Sequence, residues 1–440
     1  MYIPAVAVLQ ILEKGLTRSS GHAFSVLGFA LCAVFGDNYG AEVAMLGNHV
    51  VERFNNPICT CRALCLSGIA VVFDGRYQDV AAKHLYRSYA AGRTAHDLLW
   101  ACYSVFILSQ MLVFDGVSLQ DMVETLYDLY AYAMSDGHQL LAQSGCRIVL
   151  HVAGMLMHGK SGEAPIFHYS LLQDETSKSV PLIQFAHGAT SLVCLYFENN
   201  LQLAWQIITQ MIEQNMEQFS PGLPCKYVFN LYSVVIIHGI LCGPLQSDES
   251  NVEQAPLDQI QRDKLIESMT TCCSELERLH KMGPIFEPMA RVARACIIDV
   301  VDGQPLEALK IFDSVANGLL LEGKKARHLD IVAISQLESA RICHRLQLKQ
   351  MNRHYVSDAL STLSQWGAWH VLARYSEGKR DILPDARTTT TTSSVNASSN
   401  SLNASGSVNA QGSSTQKVTP INSGKYKGWY EQHPSRRVLW

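Results

Sequence analysis

A short turn signature recurs along this chain at wide, fairly regular intervals, and each copy is followed by an amphipathic stretch. The six copies are Gly36–Tyr39, Asp74–Tyr77, Asp115–Val117, Gly159–Ser161, Glu198–Asn200 and Asp302–Pro305. The first five are separated by roughly 37 to 44 residues, the length of one helical hairpin unit in a solenoid. Because such a unit cannot bury its apolar face alone, the repetition predicts a stacked array of helix pairs.

The composition agrees with a large folded body. The chain has 440 residues, of which 48% are hydrophobic and only 17% are charged. The formal net charge of -4 provides no field that would attract nucleic acid or an anionic membrane. The thirteen cysteines are mostly scattered singly along helical stretches, which favours free thiols in a reducing compartment over a disulfide framework. We therefore expect a cytoplasmic protein that does not bind nucleic acid.

Two apolar runs approach the length of a membrane span. Leu98–Phe114 contains no charged residue, and Val228–Leu245 is interrupted only by polar residues, glycine and proline. The inner helices of stacked repeats are apolar almost all round, so we expect both runs to form buried helices. The N-terminus lacks the basic region of a secretory signal, and no signal peptide is predicted.

Helical periodicity is clear in Tyr39–Phe54. Its apolar side chains recur every three or four residues, which predicts one packing face and places Asn48 on the solvent side. The predicted face consists of Tyr39, Val43, Leu46, Val50 and Phe54.

Two further helices carry end signals. Tyr77–Ala91 is followed by Gly92, which we expect to end that helix as a left-handed cap. Pro305 is placed to begin a helix that continues to Leu321, since proline is favoured in the first turn. Alternation typical of β-strands is not sustained anywhere. The predicted fold class is therefore all-α.

The domain organisation follows from composition. Residues 1–386 form the predicted helical-repeat domain, with an irregular insertion near 159–181 that carries glycine, proline, serine and mixed charge. Residues 387–440 are a low-complexity segment of threonine, serine, asparagine and glycine, which predicts a disordered C-terminal tail. Its last residues, 426–440, are aromatic and basic, and we assign them no role.

One stretch matches the P-loop pattern letter for letter through Gly154, Gly159, Lys160 and Ser161. A working P-loop needs a strand before the loop and a helix after it, so that backbone N–H groups face the phosphates. Here the residues between the two glycines, Met155–His158, continue a helix. The favoured interpretation is a helix end followed by a loop, and no bound cofactor is predicted.

Metal and catalytic patterns are weak. Cys59, Cys61 and Cys65 form the densest cysteine cluster, but a second pair with zinc-ligand spacing is missing from the sequence, so buried thiols are expected. The sixteen histidines form no His-Glu-x-x-His motif, and we expect them to be structural or at the surface. The sequence also lacks a nucleophile elbow and a kinase catalytic loop. Hence neither catalytic residues nor a metal site are predicted.

The C-terminal third carries a recognisable set of helix-packing positions. These are Glu307–Leu309, Phe312–Asp313, Ala316, Gly323, His328–Ile342, Ala359–Leu360 and Trp366–Ala368. The set resembles the tetratricopeptide-like segment of large multidomain sensor proteins. Those proteins combine a serine/threonine kinase-like module, a predicted AAA-type ATPase, a GAF domain and a histidine kinase. Residues from Gly36 to Phe54 and from Tyr86 to Gly92 resemble earlier units of the same segment, so the similarity covers about residues 15–380.

The resemblance implies a tetratricopeptide-like α-solenoid and a non-catalytic scaffold or regulatory segment in signal transduction and phosphorelay. In the sensor proteins this region lies between the ATPase and the GAF and histidine kinase modules. The implied partners are proteins or those neighbouring kinase and ATPase modules. Two alternatives stay open: a fragment of an ATP-binding kinase or ATPase signalling enzyme, and a helical-repeat regulator that senses a ligand.

Overall fold

The computed structural model describes residues 2–35, 39–73, 78–135, 140–159, 180–216, 222–243, 258–321 and 328–377. These residues belong to one unit, Met1–Gly378. The predicted tail, 387–440, and almost all of the predicted insertion at 159–181 lie outside the described residues.

The described residues form α-helices, with no strand among them. The helices are α1 (Tyr2–Lys14), α2 (Ser20–Ala30), α3 (Tyr39–Phe54), α4 (Pro57–Ala70), α5 (Gln78–Ala95), α6 (Leu98–Phe114), α7 (Leu119–Ser135), α8 (Leu140–His158), α9 (Pro181–Phe197), α10 (Leu201–Glu213), α11 (Pro224–Cys242), α12 (Gln259–Met282), α13 (Glu287–Val300), α14 (Pro305–Leu321), α15 (Leu329–Arg345), α16 (Lys349–Trp366) and α17 (Trp369–Glu377). A π-helical turn, Leu31–Phe35, and two 3₁₀ turns, Val71–Phe73 and Pro284–Phe286, extend this set. The all-α prediction is confirmed.

Each helix contacts its neighbour in sequence, and a second set of contacts joins one line of helices along the whole unit. That line runs through α2, α4, α6, α8, α9, α11, α13 and α15. Partner helices such as α3, α5, α10, α12, α14 and α16 lie against members of the line. Nearly all of the buried apolar side chains form one continuous core along it.

Local sequence explains where several helices begin. The Asn56 side chain accepts hydrogen bonds from the backbone N–H groups of Ile58 and Cys59, so it caps the start of α4. Asp258 and Gln261 form a reciprocal capping box at the start of α12. Prolines stand in the first turn of α4, α9 and α11, where a missing N–H costs nothing.

Three of the recurring turn signatures lie within the described residues between helices and contain a left-handed residue. Gly116 follows α6 with φ of 53°, Asn199 follows α9 with φ of 52°, and Gly303 follows α13 with φ of 66°. Gly159, which begins a fourth signature, has φ of 69° at the end of α8. These are the conformations that glycine and asparagine accept at helix C-termini, which accounts for the composition of the signature.

The two long apolar runs form buried helices, as predicted. α6 has the bounds expected from the sequence, and twelve of its seventeen residues are buried. α11 is the one helix among the described residues that is long and apolar enough to cross a membrane, but 78% of its apolar window is buried inside the protein. It contacts α6, α9, α13 and α15, which is the setting of a core helix.

The predicted packing face of α3 is only partly right: Val50 is buried and Val43 and Phe54 pack in the same cluster, but its other two residues are exposed. Tyr39 and Leu46 are 70% and 48% exposed, whereas Asn48 is 3% exposed. The face that packs is made of small residues, because α2 and α3 approach so closely that Gly28 and Gly40 touch. The contact between α2 and α3 depends on glycine, so the spacing of large apolar residues in α3 could not predict it.

Gly92 does not end its helix, contrary to the sequence prediction. α5 continues to Ala95, and Gly92 lies buried where a Cβ would meet Sγ of Cys61 and Cβ of Ala101. This glycine permits the close approach of α4 and α6 to α5. Here glycine therefore allows helices to pack closely and does not end a helix.

The C-terminal helices fold back onto the turn that follows α6. The backbone N–H groups of His328 and Leu329 donate to the carbonyl oxygens of Asp115 and Gly116. Nε1 of Trp366 donates to the carbonyl oxygen of Val117 at 3.0 Å. α17 also contacts α8. One copy of the turn signature is therefore a docking point for residues more than two hundred positions later.

Candidate functional site in a buried charged cluster

A histidine lies between two carboxylates in the buried interior. His238 lies on α11, and its side chain is fully buried. Its Nδ1 is 2.6 Å from Oε2 of Glu338 on α15, and its Nε2 is 2.8 Å from Oδ2 of Asp299 on α13. Since a carboxylate can only accept, both ring nitrogens carry protons in this arrangement and the ring is an imidazolium.

Glu338 is hydrogen-bonded through both of its oxygens. The hydroxyl of Tyr196, on α9, donates to Oε1 at 2.6 Å. Nε of Arg341 lies 3.2 Å from Oε2, and this ion pair is 2% and 0% exposed. Arg341 also donates through Nη1 to the carbonyl oxygen of Gly243, which follows α11. The carboxylate therefore joins α9, α11 and α15.

The other side of the cluster reaches the surface at Arg345, whose side chain is 34% exposed. Its guanidinium pairs with Oδ1 of Asp299 through Nη2, and its Nη1 lies 3.0 Å from Sγ of Cys242. Sγ of Cys242 is in turn 3.5 Å from Nε2 of His238 and 3.4 Å from Oδ2 of Asp299. Arg345 thus covers a group of three possible ligand atoms.

The mutual charges set the protonation states. Burial alone would lower the pKa of His238, but Cys242, Cys296 and the hydrogen bond to Asp299 outweigh burial and raise the pKa well above its usual value. Burial would raise the pKa of Glu338, yet the charge of Arg341 and the contact with His238 lower it. The pKa of Asp299 is lowered against burial by its hydrogen bond to His238 and by Arg345.

We name these residues the central cluster: Tyr196, His238, Cys242, Asp299, Glu338, Arg341 and Arg345. Helical spacing places most of them. His238 and Cys242 are four residues apart and share a face of α11, whereas Glu338, Arg341 and Arg345 share a face of α15. Asp299 lies in the last turn of α13.

Sequence reasoning missed this cluster. His238 was treated as one of many structural histidines, and no metal-ligand motif was recognised around it. Two signals were present: His238 is the single ionisable nitrogen in the run Val228–Leu245, and Cys242 follows it at helical spacing. The carboxylates could not have been found in this way, because Asp299 and Glu338 lie 61 and 100 residues away in the chain.

The residues of the P-loop pattern lie elsewhere. Gly154 is inside α8, and Gly159 follows the end of that helix, where a Cβ would collide with the ring of His370. Lys160 and Ser161 lie outside the described residues. The structure therefore places Met155–His158 in a helix, as the sequence predicts.

The cysteines are free thiols, and eleven of the thirteen are buried. Burial raises the pKa of Cys61 to about 11 and that of Cys65 to about 12, against hydrogen bonds to Ser88 and Ser104 that lower them. Cys59 and Cys242 are the two partly exposed ones. The prediction of buried thiols is confirmed for Cys61 and Cys65 and is wrong for Cys59.

A second buried polar group joins three helices near the N-terminus. Nδ2 of Asn48, on α3, lies 2.8 Å from Oγ of Ser67 on α4 and 3.3 Å from Nδ1 of His84 on α5. Oγ of Ser67 is also 3.2 Å from that ring nitrogen. Burial, followed by the charge of Arg87, lowers the pKa of His84 to about 4, so this ring is neutral near pH 7.

Comparison of the chain with protein-family models, with curated proteins and with solved structures found no match.

Proposed function

We propose that this chain is a tetratricopeptide-like α-solenoid that serves as a non-catalytic scaffold or regulatory segment in signal transduction. The observation that carries the proposal is the line of contacts through α2, α4, α6, α8, α9, α11, α13 and α15, with partner helices laid against it. Stacked hairpin units produce this pattern, because each inner helix buries its apolar surface against the next.

The central cluster supports a bracing role. Its side chains pair with one another across α9, α11, α13 and α15, and these four helices follow one another in the line. Buried polar groups that are all satisfied rigidify a core and hold one arrangement of it. A scaffold needs such rigidity, since the relative positions of its binding surfaces depend on the angle between successive pairs.

The resemblance to sensor proteins suggests which partners the scaffold would serve. In that setting the array would connect an ATPase module to GAF and histidine kinase modules and would bind one of them or another protein. Recognition would use the exposed surface of the helices, where side chains such as Tyr39, Leu46 and Tyr86 are 40% to 70% exposed.

The test is direct binding. Cross-linking of the full chain in extracts of its native cells would identify the proteins held at defined positions, and titration calorimetry with each purified candidate would follow. We expect a kinase-type or ATPase module to bind, and binding to be weakened by Leu46→Asp but not by Lys281→Asp, a charged residue on the exposed part of α12. Failure of every such module to bind, together with ATP hydrolysis that Lys160→Ala abolishes, would contradict the proposal and favour the enzyme alternative.

A further inference from the structure

Three side chains of the central cluster point different ligand atoms at one another. Nε2 of His238, Sγ of Cys242 and the carboxylate of Asp299 all lie within 4.8 Å. Nitrogen, thiolate sulfur and carboxylate oxygen are the ligand types of zinc sites. The three residues come from two helices, α11 and α13, that are packed directly against each other.

Two of the three separations between these ligand atoms fit tetrahedral coordination. Bonds of the usual zinc lengths place nitrogen and sulfur about 3.5 Å apart, sulfur and oxygen about 3.6 Å apart, and nitrogen and oxygen about 3.3 Å apart. In the protein the first two separations are 3.5 Å and 3.4 Å. The third is 2.8 Å, because Nε2 of His238 donates a hydrogen bond to Oδ2 of Asp299. An ion in place of that proton requires this one pair to open by about 0.5 Å.

The second ring nitrogen of His238 already has the partner that zinc ligands require. Metal-binding histidines donate their other N–H to a carboxylate or carbonyl, which fixes the tautomer and aims the free nitrogen at the ion. Nδ1 of His238 has this contact with Glu338 at 2.6 Å. Tyr196 and Arg341 hold Glu338 in turn. The outer set of contacts is therefore built into the fold.

The charge of the cluster would not change on binding. A divalent ion replaces the Nε2 proton of the imidazolium and the thiol proton of Cys242, and both protons leave to solvent. Two positive charges enter as two leave, so the net charge of the cluster is unchanged, and Glu338 keeps its contacts with His238 and Arg341. This equality matters in a buried setting, where an uncompensated charge is costly.

Access is through Arg345. This side chain is one-third exposed and contacts both Cys242 and Asp299, so it lies over the open side of the three ligand atoms. Turning outward, it would keep its charge in water and leave a fourth position for a water molecule.

We propose that His238, Cys242 and Asp299 form a Zn²⁺ site, with Glu338 orienting His238 and Arg345 covering the open position. The site links α11 to α13 and would tie zinc binding to the packing of these helices. The competing account is that the cluster is only an ion-pair brace.

The experiment uses the full chain, reduced with a phosphine and stripped of metal, and titrated with Co²⁺ and then with Zn²⁺. Cobalt bound to these three ligands and water gives strong visible bands of tetrahedral type and a thiolate charge-transfer band in the near ultraviolet. Equilibrium dialysis with metal analysis gives stoichiometry and affinity. We expect one ion per chain, with Zn²⁺ displacing Co²⁺.

The matched variants are Cys242→Ser and Cys59→Ser, since these are the two partly exposed thiols of the chain. Cys242→Ser should abolish the charge-transfer band and weaken binding by roughly tenfold or more, whereas Cys59→Ser should leave both unchanged. Equal behaviour of the two variants, or binding without the tetrahedral bands, would overturn the proposal and leave the ion-pair brace.

A second pair of variants does not depend on the thiol. Glu338→Gln should weaken Zn²⁺ binding by roughly tenfold to a hundredfold, because it removes the carboxylate behind His238. Arg345→Met should strengthen Zn²⁺ binding, because it removes a positive charge and a hydrogen-bond donor that compete with the ion for Cys242 and Asp299. Circular dichroism checks that each variant is folded. Arg345→Met weakening Zn²⁺ binding in a folded protein would also count against the site.

Discussion

Nδ1 of His238 on α11 lies 2.6 Å from Oε2 of Glu338 on α15, and both side chains are fully buried. The two residues are 100 positions apart, so this contact closes a long loop of chain in the middle of the array. Arg341 and Tyr196 share the same carboxylate. Removal of the carboxylate therefore leaves several buried donors without their acceptor.

Glu338→Ala should destabilise the protein strongly. Breaking a buried ion pair by removing one partner costs about 3–5 kcal/mol, because the remaining charge stays buried without compensation. The control is Glu307→Ala, which removes an ion pair of the same i,i+3 spacing with Lys310 at 49% and 74% exposure. An exposed pair contributes less than about 1 kcal/mol. Urea titrations monitored by circular dichroism compare the free energies of unfolding of the two variants. Equal losses of stability would show that the central cluster does not brace the core.

Gly40→Ala should destabilise the contact between α2 and α3. A Cβ at Gly40 would lie closer than 3.0 Å to the carbonyl oxygen of Gly28, which is backbone and cannot turn away. Overpacking of this kind costs about 1–3 kcal/mol. The matched control is Gly154→Ala, also inside a helix but with nothing within 4 Å of the new Cβ. That change should stabilise by up to about 1 kcal/mol, since alanine favours helix over glycine. Thermal unfolding measures both variants. If the unfolding temperatures of both variants changed in the same direction, the close contact assigned to Gly40 would be wrong.

Acid should loosen the N-terminal polar group through His84. Its pKa is about 4 in the folded protein against an ordinary value of 6.5, so folding favours the neutral ring. The stability that His84 contributes is therefore full above pH 6.5 and is lost as pH falls from 6.5 through about 4. Protonation would also place a donor at Nδ1 opposite the Nδ2 donor of Asn48.

His84→Gln should flatten that part of the pH dependence, because glutamine stays neutral and can still accept from Asn48. His49→Gln is the control, since the side chain of His49 is 71% exposed. Hydrogen exchange of α3 to α5 between about pH 4 and about pH 7 measures the effect. A His84→Gln variant that loses protection in acid as the wild type does would exclude His84 as the titrating group.

Asp330→Asn should stabilise the protein above neutral pH. Burial raises the pKa of Asp330 from 3.8 to about 7, although hydrogen bonds from the Ile331 backbone and Tyr232 act against it. Folding thus favours the protonated acid, and the stability it contributes is full below pH 3.8 and is lost as pH rises through about 7. A pKa shift of this size corresponds to a change of about 4 kcal/mol at most in the free energy of unfolding. Asparagine is neutral throughout and avoids that loss.

The gain from Asp330→Asn should appear at about pH 8.5 and shrink toward about pH 5 in urea titrations. Asp302→Asn provides the comparison, since the side chain of Asp302 is 38% exposed. A difference between wild type and Asp330→Asn that does not change with pH would mean that this carboxyl group does not titrate in the range.

Much of the secondary structure was predictable from local sequence. The bounds of α6 coincide with the uncharged run between Asp97 and Asp115, and α14 begins at Pro305 as predicted. In four copies of the recurring signature the left-handed residue is a glycine or an asparagine. These features depend on backbone preferences and on the nearest neighbours in the chain, which the sequence states directly.

Two positions on α3 and α5 were predicted wrongly because their environment comes from other helices. Gly92 was interpreted as a helix end, but it lies inside α5 against Cys61 and Ala101. Asn48 was placed on the solvent side, but it is buried against Ser67 and His84. In both cases a distant helix supplies the environment, and the residue itself is compatible with either position.

The sequence by itself determined that the chain is helical, where many helices begin and end, and that its cysteines are mostly buried thiols. The tertiary structure alone decided that His238, Cys242 and Asp299 meet, with Glu338 behind them. Helical periodicity reports which residues share a face of one helix, whereas the pairing of faces between helices 60 to 100 residues apart depends on how the whole core packs. A charged residue in an apolar helix indicates that a partner exists, and only the assembled array shows which one.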